Sequence, residues 1–255
     1  AFSAEQLTPD RMVLAAAGYD HDELVALAEA TMGAETAGGP RTAESASYAG
    51  GEYRESSDDE LTHMALAFRG VGWKDEDLVP LCVLNTMMGG GASFSAGGPG
   101  KGMYTRLYQN ILNRFYFVES AAIFNAFYND TGVFGVYGSA PAAEMGKLTS
   151  ALAEEMAKMA GPITDAELSR AKNQLTTSLL MNLEQRSVLF EDIGRQVLTY
   201  GARTAPAELV AQISAVTSDD IGRVASSLLK SPPSVVVVGD TTSVPRYDQV
   251  AKMLA

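Results

Sequence analysis

Cysteine occurs once in these 255 residues and histidine twice. The single thiol, Cys82, excludes an internal disulfide framework and a cysteine-built structural zinc site. Basic residues are also scarce: 19 Lys and Arg stand against 31 Asp and Glu, a net charge of −12. Nucleic acid would be repelled by such a surface, so no nucleic-acid partner is expected. A cationic peptide would be attracted, although the same acidity also serves simple solubility. Long apolar runs are missing as well. The longest charge-free stretch lies between Asp77 and Lys101, and its second half holds Gly89-Gly90-Gly91 and Gly97-Gly98-Pro99-Gly100. No transmembrane segment is expected from it. The first residue is Ala1, which reads as a processed chain or a piece of a longer one, and no basic stretch followed by an apolar one marks a signal peptide. What remains, 46% hydrophobic and 20% charged residues, is globular composition with enough apolar material for a sizeable core.

Along the chain, Arg11 to Gly18 is a short apolar run ended by glycine and predicts a buried strand. Asp20, with Glu23 in the capping-box position, opens a helix whose apolar face holds Leu24, Leu27 and Ala28. This pair reads as the last strand and helix of a unit whose beginning is absent, covering residues 1–32. Residues 33–47 are rich in Gly, Ala, Ser, Thr and Pro and read as a linker, with a boundary near Gly38-Gly39-Pro40. Residues 48–255 form the second expected domain. Thr62 to Phe68 alternates as a strand. Asp75 to Met88 and Gly102 to Arg114 read as helices. Phe115 to Tyr128 and Gly132 to Ser139 read as a hairpin turned at Asn129-Asp130-Thr131. Ala142 to Ala160 is helical and broken at Gly161-Pro162. Thr164 and Glu167 form a second capping box that opens a helical stretch to Tyr200, bent near Asn182 or Arg186. Thr217 to Leu229 is a further helix, and Ser234 to Val238 a fully buried closing strand. The expected class is α+β: a mostly antiparallel sheet with helices packed on one face.

Candidate chemistry is sparse. His21 falls in the first turn of a helix and His63 on a strand face, so each reads as structural rather than as a metal ligand. Cys82 sits in the apolar sequence Leu81-Cys82-Val83-Leu84 and reads as a buried, inert thiol. No Gly-x-Ser-x-Gly elbow is present. The strongest local signal is Gly89-Gly90-Gly91-Ala92-Ser93-Phe94-Ser95-Ala96-Gly97-Gly98-Pro99-Gly100-Lys101-Gly102. A phosphate loop would need glycine at 95 and Ser or Thr at 102, where Ser95 and Gly102 stand. A dinucleotide fingerprint would need glycine at 103, which is Met103. Seven glycines in so short a window cost backbone entropy, which makes sense where mobility or close approach is required. The segment either covers a cleft or touches an extended peptide backbone, or it is a plain surface connector. Glu191-Asp192, at the edge of an apolar helix face, can accept an arginine from a substrate or pair internally with Arg186 or Arg195.

Several stretches together resemble the α-subunits of the mitochondrial processing peptidases, a branch of the pitrilysin-like metallopeptidases. They are Gly51-Glu52-Tyr53-Arg54, Thr62-His63-Met64-Ala65-Leu66-Ala67-Phe68, the glycine-rich segment running on through Met103-Tyr104-Thr105-Arg106-Leu107-Tyr108, Phe124-Asn125-Ala126-Phe127-Tyr128-Asn129-Asp130-Thr131-Gly132 and Phe190-Glu191-Asp192-Ile193-Gly194-Arg195-Gln196. The resemblance implies two similar α+β halves joined by a linker, of which this chain holds the tail of the first and the whole second. It implies a non-catalytic subunit in the mitochondrial matrix that binds basic amphipathic presequences. A β-subunit partner, which carries the zinc and the His-x-x-Glu-His motif, cuts them. No cofactor is then expected in this chain. In some lineages the same subunit belongs to the cytochrome bc1 complex on the matrix side of the inner membrane, and a purely structural core protein is the alternative reading. The resemblance assigns residues 89–102 to substrate handling. Ala92 departs from the family's glycine run and stiffens it slightly.

Overall fold

The computed structural model describes residues 7–33, 37–38, 44–92 and 103–254. Much of the expected linker and residues 93–102 of the glycine-rich segment lie outside the described residues. Contacts divide the chain into two compact units, one drawn from Ala1–Ser45 and Thr176–Val210, the other from Ala46–Leu175 and Ala211–Ala255.

The second unit is built on a sheet whose strands, in chain order, are β1 (Gly51–Glu55), β2 (Leu61–Gly70), β3 (Gly90–Ala92), β4 (Ser120–Phe127), β5 (Gly132–Pro141) and β6 (Ser234–Val238). Their spatial order is β1-β6-β2-β5-β4-β3. Every pairing is antiparallel except β1 with β6. The alternation in β2 is what sets the faces. Met64, Leu66 and Phe68 oppose Gly138, Val136 and Phe134 of β5, and all of these side chains are sealed from water. The intervening residues, His63, Ala65 and Ala67, point the other way.

Helices cover the apolar face. They include α2 (Leu78–Met88), α3 (Met145–Ala157), α7 (Ser218–Leu229) and α8 (Tyr247–Met253). Helix α3 packs on β5 and β2, α2 on β4, α7 on α2, and α8 on α3. Gly138 lets α3 sit close: a Cβ there would lie 2.9 Å from Leu152 Cδ1. The expected α+β class, with a mostly antiparallel sheet and helices on one face, is what the chain adopts. Closing strand β6 differs from the expectation in one respect. Val235 and Val237 are buried, but Val236 is 38% exposed, because among the described residues its face of the strand is left partly open.

The first unit contains α1 (His21–Met32), the later part of α4 (Asp165–Leu183) and α5 (Arg186–Tyr200). Asp20 caps α1 as expected, its Oδ1 accepting from the N–H groups of Asp22 and Glu23 at 3.0 and 3.1 Å. The break between α4 and α5 falls at Glu184-Gln185, inside the interval where a bend was expected. The expected strand over Arg11 to Gly18 does not form. Pro9–Arg11 is a single 3-10 turn, and the residues after it join no ladder. A strand exists only through its neighbour's hydrogen bonds, and none lies beside this run among the described residues. Val13 and Leu14 are accordingly exposed.

Two further corrections concern helices. The expected helix over Gly102 to Arg114 shrinks to a short turn whose core is a π-helix at Tyr108–Leu112. Only Leu107 and Ile111 of its apolar set are fully buried, which is too little to hold a longer helix. Helix α6 (Pro206–Ala215), α8 and edge strand β1 are additional to the sequence reading.

Candidate functional site

The glycine-rich segment starts where α2 runs into β3. The Gly89 N–H closes the helix on the Asn85 carbonyl at 2.9 Å, and its own carbonyl accepts from Ile123 N–H of β4 at 2.9 Å. Turning from helix to strand within one residue requires φ +57° and ψ −128° at Gly89, followed by φ +107° at Gly90. Both positions also meet near neighbours. A Cβ on Gly89 would lie 2.3 Å from Thr105 Cγ2, and one on Gly90 would lie 2.1 Å from the Ala121 carbonyl oxygen. Of the two uses the sequence leaves open, mobility or close approach, these first two glycines serve the second.

Residues 103–106 lead out of the segment. Met103 and Tyr104 are exposed, and the Arg170 guanidinium lies 5.8 Å from the centre of the Tyr104 ring. Thr105 is buried, and its Oγ1 accepts the Gly90 N–H at 3.3 Å. Arg106 donates from Nε and Nη2 to the two oxygens of Glu167 at 2.6 and 3.2 Å. It also donates to the carbonyls of Lys158 and Pro162 at 3.0 and 3.3 Å. Glu167 has its N–H on Thr164 Oγ1, half of the expected capping box, while its carboxylate pairs with Arg106. Thr105, Arg106 and Glu167 were absent from the sequence-derived site. Thr105 and Arg106 were signalled only by membership in the run Met103 to Tyr108, and Glu167 only as a helix-capping residue, since the partners lie 15 and 61 residues away.

Glu191 and Asp192 belong to α5 in the first unit, and the glycine-rich segment to the second. Glu191 is exposed. The Asp192 carboxylate accepts from Gln196 Nε2 at 2.8 Å and lies 3.6 Å from Arg195 and 3.9 Å from Arg203. The Gln196 Oε1 in turn holds the Thr204 N–H at 2.8 Å, so Asp192 braces the turn that follows α5.

His21 is the exposed first residue of α1, and His63 Nδ1 lies 2.6 Å from the Tyr137 hydroxyl across β2 and β5. Among the described residues, no group of three His, Cys, Asp or Glu side chains is arranged to hold a metal ion. No described helix is long and apolar enough to cross a membrane. Burial pushes the Cys82 thiol up to about 11, well above its ordinary 9.0. At pH 8 it should therefore react with iodoacetamide on the order of a hundredfold more slowly in the folded chain than in urea. The unfolded thiol ionises first as pH rises, so stability should also fall between about pH 9 and 11, by up to about 1.4 kcal/mol per pH unit. Equal alkylation rates in the two states would contradict this environment.

Residues 1–175 match the family described as the peptidase M16 inactive domain. The chain belongs to that family. Among its relatives are mitochondrial-processing peptidase α-subunits. The Homo sapiens protein is 41% identical over 97% of this chain and 50% of its own length, and the Bos taurus protein 42% over 100% and 52%. That of Solanum tuberosum is 41% identical over 98% and 50%. The chain thus spans about half the length of the curated relatives it matches. A chain in the solved structure "Complex III2 from Candida albicans, Inz-5 bound" superposes with a TM-score of 0.81 at 23% identity. It covers 93% of this chain and 57% of that one, and the likeness is one of fold.

Proposed function

We propose that this chain is the presequence-binding, non-catalytic part of a mitochondrial processing peptidase α-subunit. It works in the matrix, or on the matrix side of the inner membrane, beside a β-subunit that holds zinc and cuts. The observation that carries this reading is identity near 41% to such α-subunits over nearly the whole chain. The net charge of −12 supports it, because presequences are basic. Residues 89–102 contact the extended presequence through backbone and the Phe94 ring. The segment has no acidic residue, so charge selection falls to acidic groups elsewhere. Glu191 is the exposed candidate, and Asp192 the one already held by arginines.

Two effects should separate in the assembled heterodimer. Deleting residues 93–101 should weaken binding of a basic presequence peptide with little change in its salt dependence. Glu191→Gln with Asp192→Asn should flatten the dependence of affinity on ionic strength, since screening acts on charge contacts. A loop deletion that binds and supports cleavage like the parent, in an intact complex, sinks the substrate-binding reading and leaves a structural core role in the cytochrome bc1 complex. Zinc is expected on the partner. Metal analysis of this chain alone should find no stoichiometric zinc, and an EDTA-sensitive equivalent would contradict the assignment.

A further inference from the structure

We infer that Arg203 is a specificity-determining residue, an internal arginine that occupies the Asp192 carboxylate and that a presequence arginine displaces. The inference rests on the reading that Glu191 and Asp192 take presequence cations. Every residue it involves lies in the first unit.

The turn after α5 brings Arg203 to this place. The helix ends at Tyr200, and the Gly201 N–H closes it on the Val197 carbonyl at 2.9 Å. Gly201 sits at φ +80°, the left-handed conformation that reverses a chain at a helix end. Gln196, 7% exposed, then ties the returning chain to the helix. Its Oε1 accepts the Thr204 N–H at 2.8 Å, while its Nε2 donates to Asp192 Oδ2 at 2.8 Å. One side-chain amide thus fixes both the carboxylate and the backbone next to Arg203.

The cations are held less closely than the amide. Arg203 Nε lies 3.9 Å from Asp192 Oδ2, and Arg195 Nη2 lies 3.6 Å from Oδ1. Both contacts are attractive, and both are longer than a hydrogen bond. Asp192 is 12% exposed and Arg203 34%, so the internal cation is the more accessible member of the pair. Glu191, next to it in the helix, is exposed. An incoming guanidinium can set two N–H groups on a carboxylate at hydrogen-bond length, which replaces a loose ion pair by a fork. A lysine ammonium brings the same charge without the fork, so it gains little over Arg203. The internal arginine therefore sets a threshold that a substrate arginine passes and a substrate lysine does not. Without Arg203 either cation is admitted.

The test uses the complete heterodimer and two fluorescein-labelled basic amphipathic peptides, one with arginine at every cationic position and one with lysine. Affinity is read by anisotropy at low ionic strength, where charge contacts are least screened. Arg203→Gln should tighten the lysine peptide by about threefold to fivefold and the arginine peptide by less than about twofold, so the preference for arginine shrinks. Arg203→Met gives the same readout if Arg203→Gln fails to assemble. Asp192→Asn should weaken the arginine peptide toward the lysine one, and adding Arg203→Gln to it should have no further effect. Arg246→Gln removes one positive charge from an exposed site in the second unit and should leave both constants unchanged. Equal tightening of both peptides by Arg203→Gln, or the same change from Arg246→Gln, would be a general charge effect and overturns the inference. So does an unchanged preference in Arg203→Gln when Asp192→Asn weakens the arginine peptide, an outcome that leaves the acidic site standing. If Asp192→Asn itself binds both peptides like the parent, the proposed part of Asp192 in presequence binding falls, and the inference with it.

Discussion

Gly90→Ala is expected to destabilise the second unit by about 3 kcal/mol or more. The new Cβ would lie 2.1 Å from the Ala121 carbonyl oxygen and 2.7 Å from Ala122 Cα, on a backbone already at φ +107°. Both obstacles are main-chain atoms of β4, so no rotamer change relieves them. Gly91→Ala, one residue on, is the internal control: φ there is ordinary and, among the described residues, no atom comes within 4 Å of the added carbon. It should shift stability by no more than about 0.5 kcal/mol. Trp73, the chain's one tryptophan, packs on Phe127 at 5.0 Å between ring centres, so its fluorescence reports unfolding of this unit. The measurement is the urea midpoint by that signal. Equal midpoints for Gly90→Ala and the parent would mean that the start of the segment is not held as described.

Phe134→Ala should cost about 3–5 kcal/mol, a large part of the stability of an ordinary domain. Phe134 faces Phe68 across β5 and β2, and neither ring has any exposed surface. Removing one leaves a void that the surrounding strands and helices cannot close, since the packing on the sheet is set by strand register. Tyr116→Ala is the contrast. That ring is 95% exposed, and its loss should stay within about 0.5 kcal/mol. Similar urea midpoints for the two variants, again by Trp73 fluorescence, would place the core elsewhere.

Elements whose signal is local were legible from residue order. Alternation in Thr62 to Phe68 marks β2, the Asn129-Asp130-Thr131 turn marks the β4–β5 hairpin, and the stretch Thr217 to Leu229 marks α7. Edge strand β1 escaped because Gly-Glu-Tyr-Arg-Glu carries no apolar stripe. It is a strand through its pairing with β6, which residue order alone does not reveal. The run Arg11 to Gly18 erred the other way, with composition suited to a strand and no described neighbour to pair with. For the site, glycine content marked the segment, and the fork of Arg106 and the hydroxyl of Thr105 were invisible. Their meaning depends on Glu167, Lys158 and Gly90, which only folding brings near.

Strand β6 enters the sheet between β1 and β2, pairing Ser234 with Gly51 on one side and Ala67 on the other. During synthesis, β1 leaves the ribosome with no lateral partner, and the edge of β2 that β6 will fill stays open until Ser234–Val238 has emerged. Two unpaired edges then wait until β6 is made, a template for wrong pairing with other nascent chains. Production of this protein should therefore be limited by chaperone capacity more than by its finished stability. A ribosome stalled before Ser234 should leave the early strands open to protease, although most of their eventual neighbours have already been made.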